Sequence, residues 1–147
     1  MTASEERYNS LVCLLHEVNH KMFLAKEETL GREGISFPQM LVLGFLKENS
    51  GKDVNLKSVR SIMKIKGSSV SSLINNMVKN GLIEKKSNPC DGREYFLTLT
   101  DKGDEKANRI REMLIDIDEK ATGVLTDEEK KTMTALLRKL LFSGEKE

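Results

Sequence analysis

A mostly helical fold with one small β-hairpin is predicted from three observations. Apolar residues recur at helical spacing through most of the chain, two short amphipathic segments meet at a tight turn near its middle, and a stretch rich in turn residues separates two short strand-like runs. The 147 residues suit a single domain with one continuous core.

The elements follow in order. Leu11, Leu14, Leu15, Val18 and Met22 stand at helical spacing, which predicts a long first helix over residues 4–30, ending near Gly31. Ser36-Phe37-Pro38-Gln39 opens a second helix: Ser36 caps, Gln39 closes a capping box and Pro38 suits the first turn. Leu41, Val42, Phe45 and Leu46 form its core face, and Asn49-Ser50-Gly51 ends it.

Asn55 starts a short helix through Met63, with Leu56, Val59 and Met63 inward and Lys57, Arg60 and Lys64 on another face. Ile65-Lys66-Gly67 is the tight turn. A helix over residues 68–80 follows, its apolar stripe made by Val70, Leu73, Ile74, Met77 and Val78. Two short amphipathic helices joined in this way make a helix-turn-helix.

Gly81 ends that helix in the left-handed conformation, and residues 82–86 and 95–99 read as strands. The turn-forming residues between them, Ser87 to Arg93, make a protruding hairpin, or wing. Thr100 caps a long helix over residues 101–121 with Ile110, Met113, Leu114, Ile117 and Ala121 as its stripe. Thr126 and Glu129 form a second capping box, opening a final helix that carries Met133, Leu136, Leu137, Leu140 and Leu141. The whole is a winged helix-turn-helix with flanking N- and C-terminal helices. Those flanking stripes exceed what one small core can cover, so a partner surface is their expected destination.

The net charge of +1 hides an asymmetry. From Lys52 to Arg93, nine lysines and arginines stand against three acids, while the rest of the chain is net acidic. A basic middle between acidic ends is the footprint of a polyanion-binding segment, although ordinary solvated charge also gives such runs. The longest apolar runs, Leu11 to Leu15 and Met40 to Leu43, are far too short to span a membrane, and the acidic, polar first residues lead us to expect no signal peptide. Cys13 and Cys90 form no metal-type pair, which fits a reducing cytoplasm.

Five segments carry a resemblance: Gly34-Ile35-Ser36-Phe37-Pro38-Gln39, Ser68-Ser69-Val70-Ser71-Ser72-Leu73-Ile74, Lys79-Asn80-Gly81-Leu82-Ile83-Glu84-Lys85, Asp91-Gly92-Arg93 and Leu99-Thr100-Asp101-Lys102-Gly103. In that order and spacing the chain resembles the MarR family (multiple-antibiotic-resistance regulators) over nearly its whole length. The resemblance implies a homodimer held by residues 1–34 and 101–147, with a DNA-binding lobe over residues 35–100. It implies a cytoplasmic, sequence-specific regulator of transcription, more often a repressor, on a pseudo-palindromic duplex operator. A small aromatic or phenolic effector is expected where the dimerisation helices meet the winged helix. Neither the residues nor the resemblance imply a cofactor or a resident metal.

The expected DNA-binding residues are Ser68, Ser69, Ser71, Ser72, Asn75, Asn76 and Lys79 on the recognition helix. Short hydroxyls allow close approach to the groove floor, and Asn can pair bidentately with adenine. Lys57, Arg60, Lys64 and Lys66 before that helix, and Lys85, Lys86 and Arg93 on the wing, are expected to meet phosphates or the minor groove. Positions 72 and 76, where the family often carries basic residues, hold Ser72 and Asn76. Asp91 either supports the wing through a basic partner, as the resemblance implies, or simply forms its turn.

On the first helix Cys13, His16, Glu17 and His20 share a polar arc, which is either a solvated face or a metal or thiol sensor built on Cys13, His16 and His20. The resemblance to peroxide-sensing members is incomplete, because Phe37 stands where a tyrosine is wanted. His16-Glu17-Val18-Asn19-His20 spells the zinc-protease motif H-E-x-x-H, but no third ligand or cleft accompanies it, so no enzymatic activity is expected. The rival function is an effector, metal or thiol sensor that acts through protein contacts without binding DNA.

Overall fold

The structure, a computed structural model, describes residues 8–63 and 67–144, with the side chains of residues 67 and 68 outside that description. Tyr8 and Asn9 are helical, as the apolar spacing predicts, but the helix is interrupted at Ser10, which is extended and whose hydroxyl accepts from the Cys13 N–H to open α1 (Leu11–Arg32). Residues 4–7 of the expected helix lie outside the described residues. The helix ends at Arg32, close to the expected Gly31, and the left-handed residue that follows is Gly34, at φ 67°. The Ile35 N–H reaches the Leu30 carbonyl (3.0 Å) and the Gly34 N–H that of Gly31 (3.1 Å), so the turn at Gly34 satisfies the last carbonyls. Leu30 and Ile35, on either side of this turn, are both buried.

Helix α2 (Phe37–Glu48) opens with the expected capping box: the Ser36 hydroxyl accepts from the Gln39 N–H, and Gln39 Oε1 accepts from the Ser36 N–H. Val42, Leu43 and Leu46 face the core, Leu43 replacing Leu41 and Phe45 as the deeper residue. Asn55 caps α3 (Leu56–Met63) by accepting from the Ser58 N–H, and Val59 and Met63 are buried beneath it. Helix α4 (Gly67–Lys79) buries Val70, Ile74 and Met77 completely. Gly81, at φ 72°, ends it with the same pair of hydrogen bonds that closes the Gly34 turn, here from the Gly81 N–H to the Val78 carbonyl and from the Leu82 N–H to that of Met77.

Strands β1 (Ile83–Asn88) and β2 (Asp91–Leu99) pair antiparallel, Ile83 opposite Leu99 and Ser87 opposite Tyr95, with an irregularity after Ser87. The arms are longer than the alternation predicts, leaving only Pro89-Cys90 as the turn. Side-chain amide and carboxylate bonds hold this extension where no apolar pattern signals it: Asn88 Oδ1 accepts from the Cys90 N–H, Asn88 donates to Glu94, and Asp91 accepts from the Arg93 N–H. The hairpin is tied to the foot of α3 by a Leu97 N–H bond to the Val54 carbonyl and by Asn55 donating to Glu94.

Helix α5 (Asp101–Thr122) is capped by Thr100 and α6 (Asp127–Phe142) by the Thr126/Glu129 box, as expected. One core runs from Leu30 through α2, α3, α4 and the hairpin to Ala107 and Ile110 of α5. Of the expected α5 stripe Ile110 is buried, Met113, Leu114 and Ile117 are half-buried and Ala121 is exposed. Glu33 clasps α5 to the end of α1, with Lys106 at 3.1 Å and Arg109 at 2.9 Å. The Lys106 hydrogen bond leads in holding this carboxyl below its ordinary range; partial burial opposes the shift, and the Arg109 charge adds to it. Further along, Lys26 of α1 pairs with Asp118 of α5.

No residue of α6 is buried. Its Met133, Leu136, Leu137, Leu140 and Leu141 lie open, as do Leu11, Leu14, Val18 and Leu24 of α1. Among the described residues no helix is long and apolar enough to cross a membrane.

Candidate nucleic-acid interface

Helix α4 turns its apolar stripe into the core, so the opposite face must be the polar one. Ser69, Ser72, Asn75, Asn76 and Lys79 are exposed there and Ser71 is half-buried at its edge. The side chain of Ser68 and all of Lys66 and Lys64 lie outside the described residues.

Neighbouring elements brace this face from both sides. Arg60 of α3, exposed, donates to the Ser71 hydroxyl at 3.1 Å. Lys85 of β1 donates to Asn75 Oδ1 at 2.8 Å, and its ammonium sits 4.6 Å from the centroid of the Tyr95 ring, a cation–π contact that seats the charge. Gln39 of α2 donates to Asn76 Oδ1 at 3.1 Å, and Asn80 donates to the same oxygen at 3.1 Å. The structure thus brings Arg60, Ser71, Asn75, Asn76 and Lys85 into one surface. Lys57, Lys79 and Lys86 are exposed beside it. Arg93 is exposed near the hairpin turn, and Asp91 engages the Arg93 backbone, the turn-forming role of the two expected for it.

Sequence reasoning missed Gln39 and Tyr95. Gln39 has a local role in its capping box that hides its contact 37 residues away. Tyr95 is signalled only by strand register: it lies diagonal to Lys85, which pairs with Leu97.

The HTH-type transcriptional regulator MgrA of Staphylococcus aureus is 32% identical over 111 residues, spanning 74% of this chain and 71% of MgrA. The MarR family model matches residues 33–94, from the Glu33 clasp to the first residues of β2. The chain belongs to the MarR family. MepR, a transcription regulator of the S. aureus multidrug efflux pump MepA, superposes with a TM-score of 0.80 at 22% identity, covering 91% of this chain and 98% of that one. The MepR–DNA complex superposes at 0.78 with the same identity and coverage. Likeness at this identity shows the winged-helix fold of the MarR family.

Two further places flank this surface on α1. An open cleft of about 470 Å³ lies between the second half of α1 and the start of α2, lined by Leu24, Glu27, Glu28, Leu30, Ile35, Ser36, Phe37 and Pro38. Phe23 stands beside it, its ring 5.5 Å from that of Phe37. On α1, Cys13 is half-buried and the His16 and His20 rings lie parallel at 6.3 Å between centroids. Among the described residues no group of three or more His, Cys, Asp or Glu is placed to hold a metal ion.

Proposed function

We propose that the chain is a cytoplasmic, homodimeric regulator that binds duplex DNA sequence-specifically and acts as a repressor on a pseudo-palindromic operator. The observation that carries this reading is the polar face of α4, braced between Arg60 of α3 and Lys85 of the wing. A helix presented in this way suits the major groove, and the flanking cations suit its phosphates. The likeness to a protein solved in complex with DNA supports it.

Residues 1–34 and 101–147 are the dimerisation arms and residues 35–100 the DNA-binding lobe. The exposed apolar rows of α1 and α6 support pairing with a second copy, since so much apolar surface is costly in water. In the lobe, Ser68, Ser69, Ser71, Ser72, Asn75, Asn76 and Lys79 face the bases, and Lys57, Arg60, Lys66, Lys85, Lys86 and Arg93 meet the backbone or minor groove. The cleft between α1 and α2 receives a small aromatic or phenolic effector, for which its apolar floor and Phe37 provide the contact.

Selection of bound sites from random duplex, followed by titration of the selected site against salt, tests the reading. The expected result is two related half-sites and a steep loss of affinity with salt. No detectable binding at low salt would overturn it and favour a sensor that works through protein contacts.

A further inference from the structure

We propose that Asn75 and Asn76 present only hydrogen-bond donors to the major groove and so select guanine, with Lys85 and Gln39 as the positioning residues that impose this choice. The inference rests on the DNA-binding reading above. An asparagine amide with both ends available pairs bidentately with adenine, its oxygen accepting from N6 and its nitrogen donating to N7. These two amides have one end engaged.

A lysine ammonium can only donate, so the oxygen of Asn75 must be the atom that faces Lys85 at 2.8 Å. Tyr95 holds that ammonium in place. Asn76 is fixed by a longer chain of the same logic. The Ser36 N–H can only donate, and Gln39 Oε1 accepts from it at 2.9 Å. The other end of Gln39, its Nε2, is therefore the donor to Asn76 Oδ1, which also accepts from Asn80. Each amide's orientation thus ends on a group with no alternative role.

The NH₂ groups of two consecutive residues remain for the groove, on the two sides of exposed Ser72. Guanine offers N7 and O6 as adjacent acceptors, whereas adenine sets a donor beside its N7. A donor-only amide matches guanine and opposes the adenine amino group, and an unmatched buried donor is costly.

The test is selection from random duplex with wild type, Lys85→Met, Lys86→Met and Gln39→Glu, the base positions being assigned by Asn75→Ala and Asn76→Ala. Gln39→Glu keeps the capping box, since a carboxylate still accepts from the Ser36 N–H, but its other oxygen can only accept. Asn76 must then turn its nitrogen inward and its oxygen toward the groove, the unanchored Asn80 amide turning with it to accept in place of donating. Wild type is expected to select guanine at both assigned positions. Lys85→Met should lower the guanine-to-adenine ratio about fivefold or more at the Asn75 position alone, and Gln39→Glu should do so at the Asn76 position alone. Lys86→Met should weaken all sequences alike. Adenine at these positions in wild type, or variants that bind with the ratio unmoved, would overturn the inference and leave DNA binding standing. Absence of any duplex binding by wild type would overturn both.

Discussion

Gly103 sits where the first turn of α5 passes Leu82, just beyond the end of α4. A Cβ added there would lie 1.9 Å from the Leu82 carbonyl oxygen and 2.9 Å from its carbon, and both are backbone atoms that cannot swing aside. The Gly103 N–H also donates to the Thr100 cap, whose hydroxyl donates in turn to the Gly81 carbonyl. Gly103→Ala should therefore cost about 2 kcal/mol or more, read as a fall in the urea midpoint at unchanged slope. Arg93 makes a contrasting single-residue prediction. Exposed near the hairpin turn, it can reach phosphates or the minor groove, where base identity is poorly encoded. Arg93→Ala should weaken operator and random duplex alike and flatten the logarithmic salt dependence by about one unit. Unchanged affinity and slope would show that the hairpin does not touch DNA. At this scale the sequence announces residues with one local job, such as Ser36 and Thr126. It conceals second jobs done through space: Gln39 is legible as a cap, but its hold on Asn76 depends on how α2 packs beside α4.

Among the elements, the Glu33 clasp joins the end of α1 to α5. Because the folded state holds this carboxyl below its ordinary value, the clasp stabilises fully above the unfolded-state pKa. That contribution is lost as pH falls through the lower folded value. Glu33→Gln should accordingly be less stable than wild type at pH 7, and the gap should close on acidification. Chemical melts of both proteins from neutral pH down to about pH 3 read the difference directly. A gap that persisted at the acid end would assign the effect to packing instead of charge. Helix identity was legible from apolar spacing, and so were the caps at Ser36, Thr100 and Thr126. The end of α1 was legible to within a residue or so, but the left-handed turn after it was not, because Gly31 and Gly34 are equally good signals in sequence and the burial of Leu30 and Ile35 on either side of Gly34 decides between them. The hairpin arms were underestimated for a related reason. Lys86, Ser87 and Asn88 carry no apolar alternation, and side chains of Asn88, Asp91 and Glu94 hold the strands together.

For the molecule as a whole, the apolar rows of α1 and α6 were legible as surplus, since three flanking stripes exceed one small core. Ile110 is the exception: it belongs to the chain's own core, so the stripe on α5 is divided between inside and outside. Leu136 and Leu140, by contrast, contribute nothing to that core and are more than half exposed, at 57% and 53%. A Leu136→Glu/Leu140→Glu protein should therefore keep its helical content and melting cooperativity while its dimer dissociation constant rises roughly thirtyfold or more. Sedimentation across a concentration series measures this, and a dimer of undiminished strength would place the interface elsewhere. Removing residues 126–142 altogether should abolish both dimerisation and operator binding.

The ties at the base of the hairpin, Leu97 to Val54 and Asn55 to Glu94, have a mechanical meaning. Together with Lys85 on Asn75 and Gln39 on Asn76, they cross-link the wing, α3 and α4 into one block, flanked by α1 and α5. A cross-linked block can be shifted more easily than retuned. Under the proposed function, a ligand wedged between α1 and α2 should therefore alter the preferred separation of the half-sites and leave the preferred letters within each one as they were.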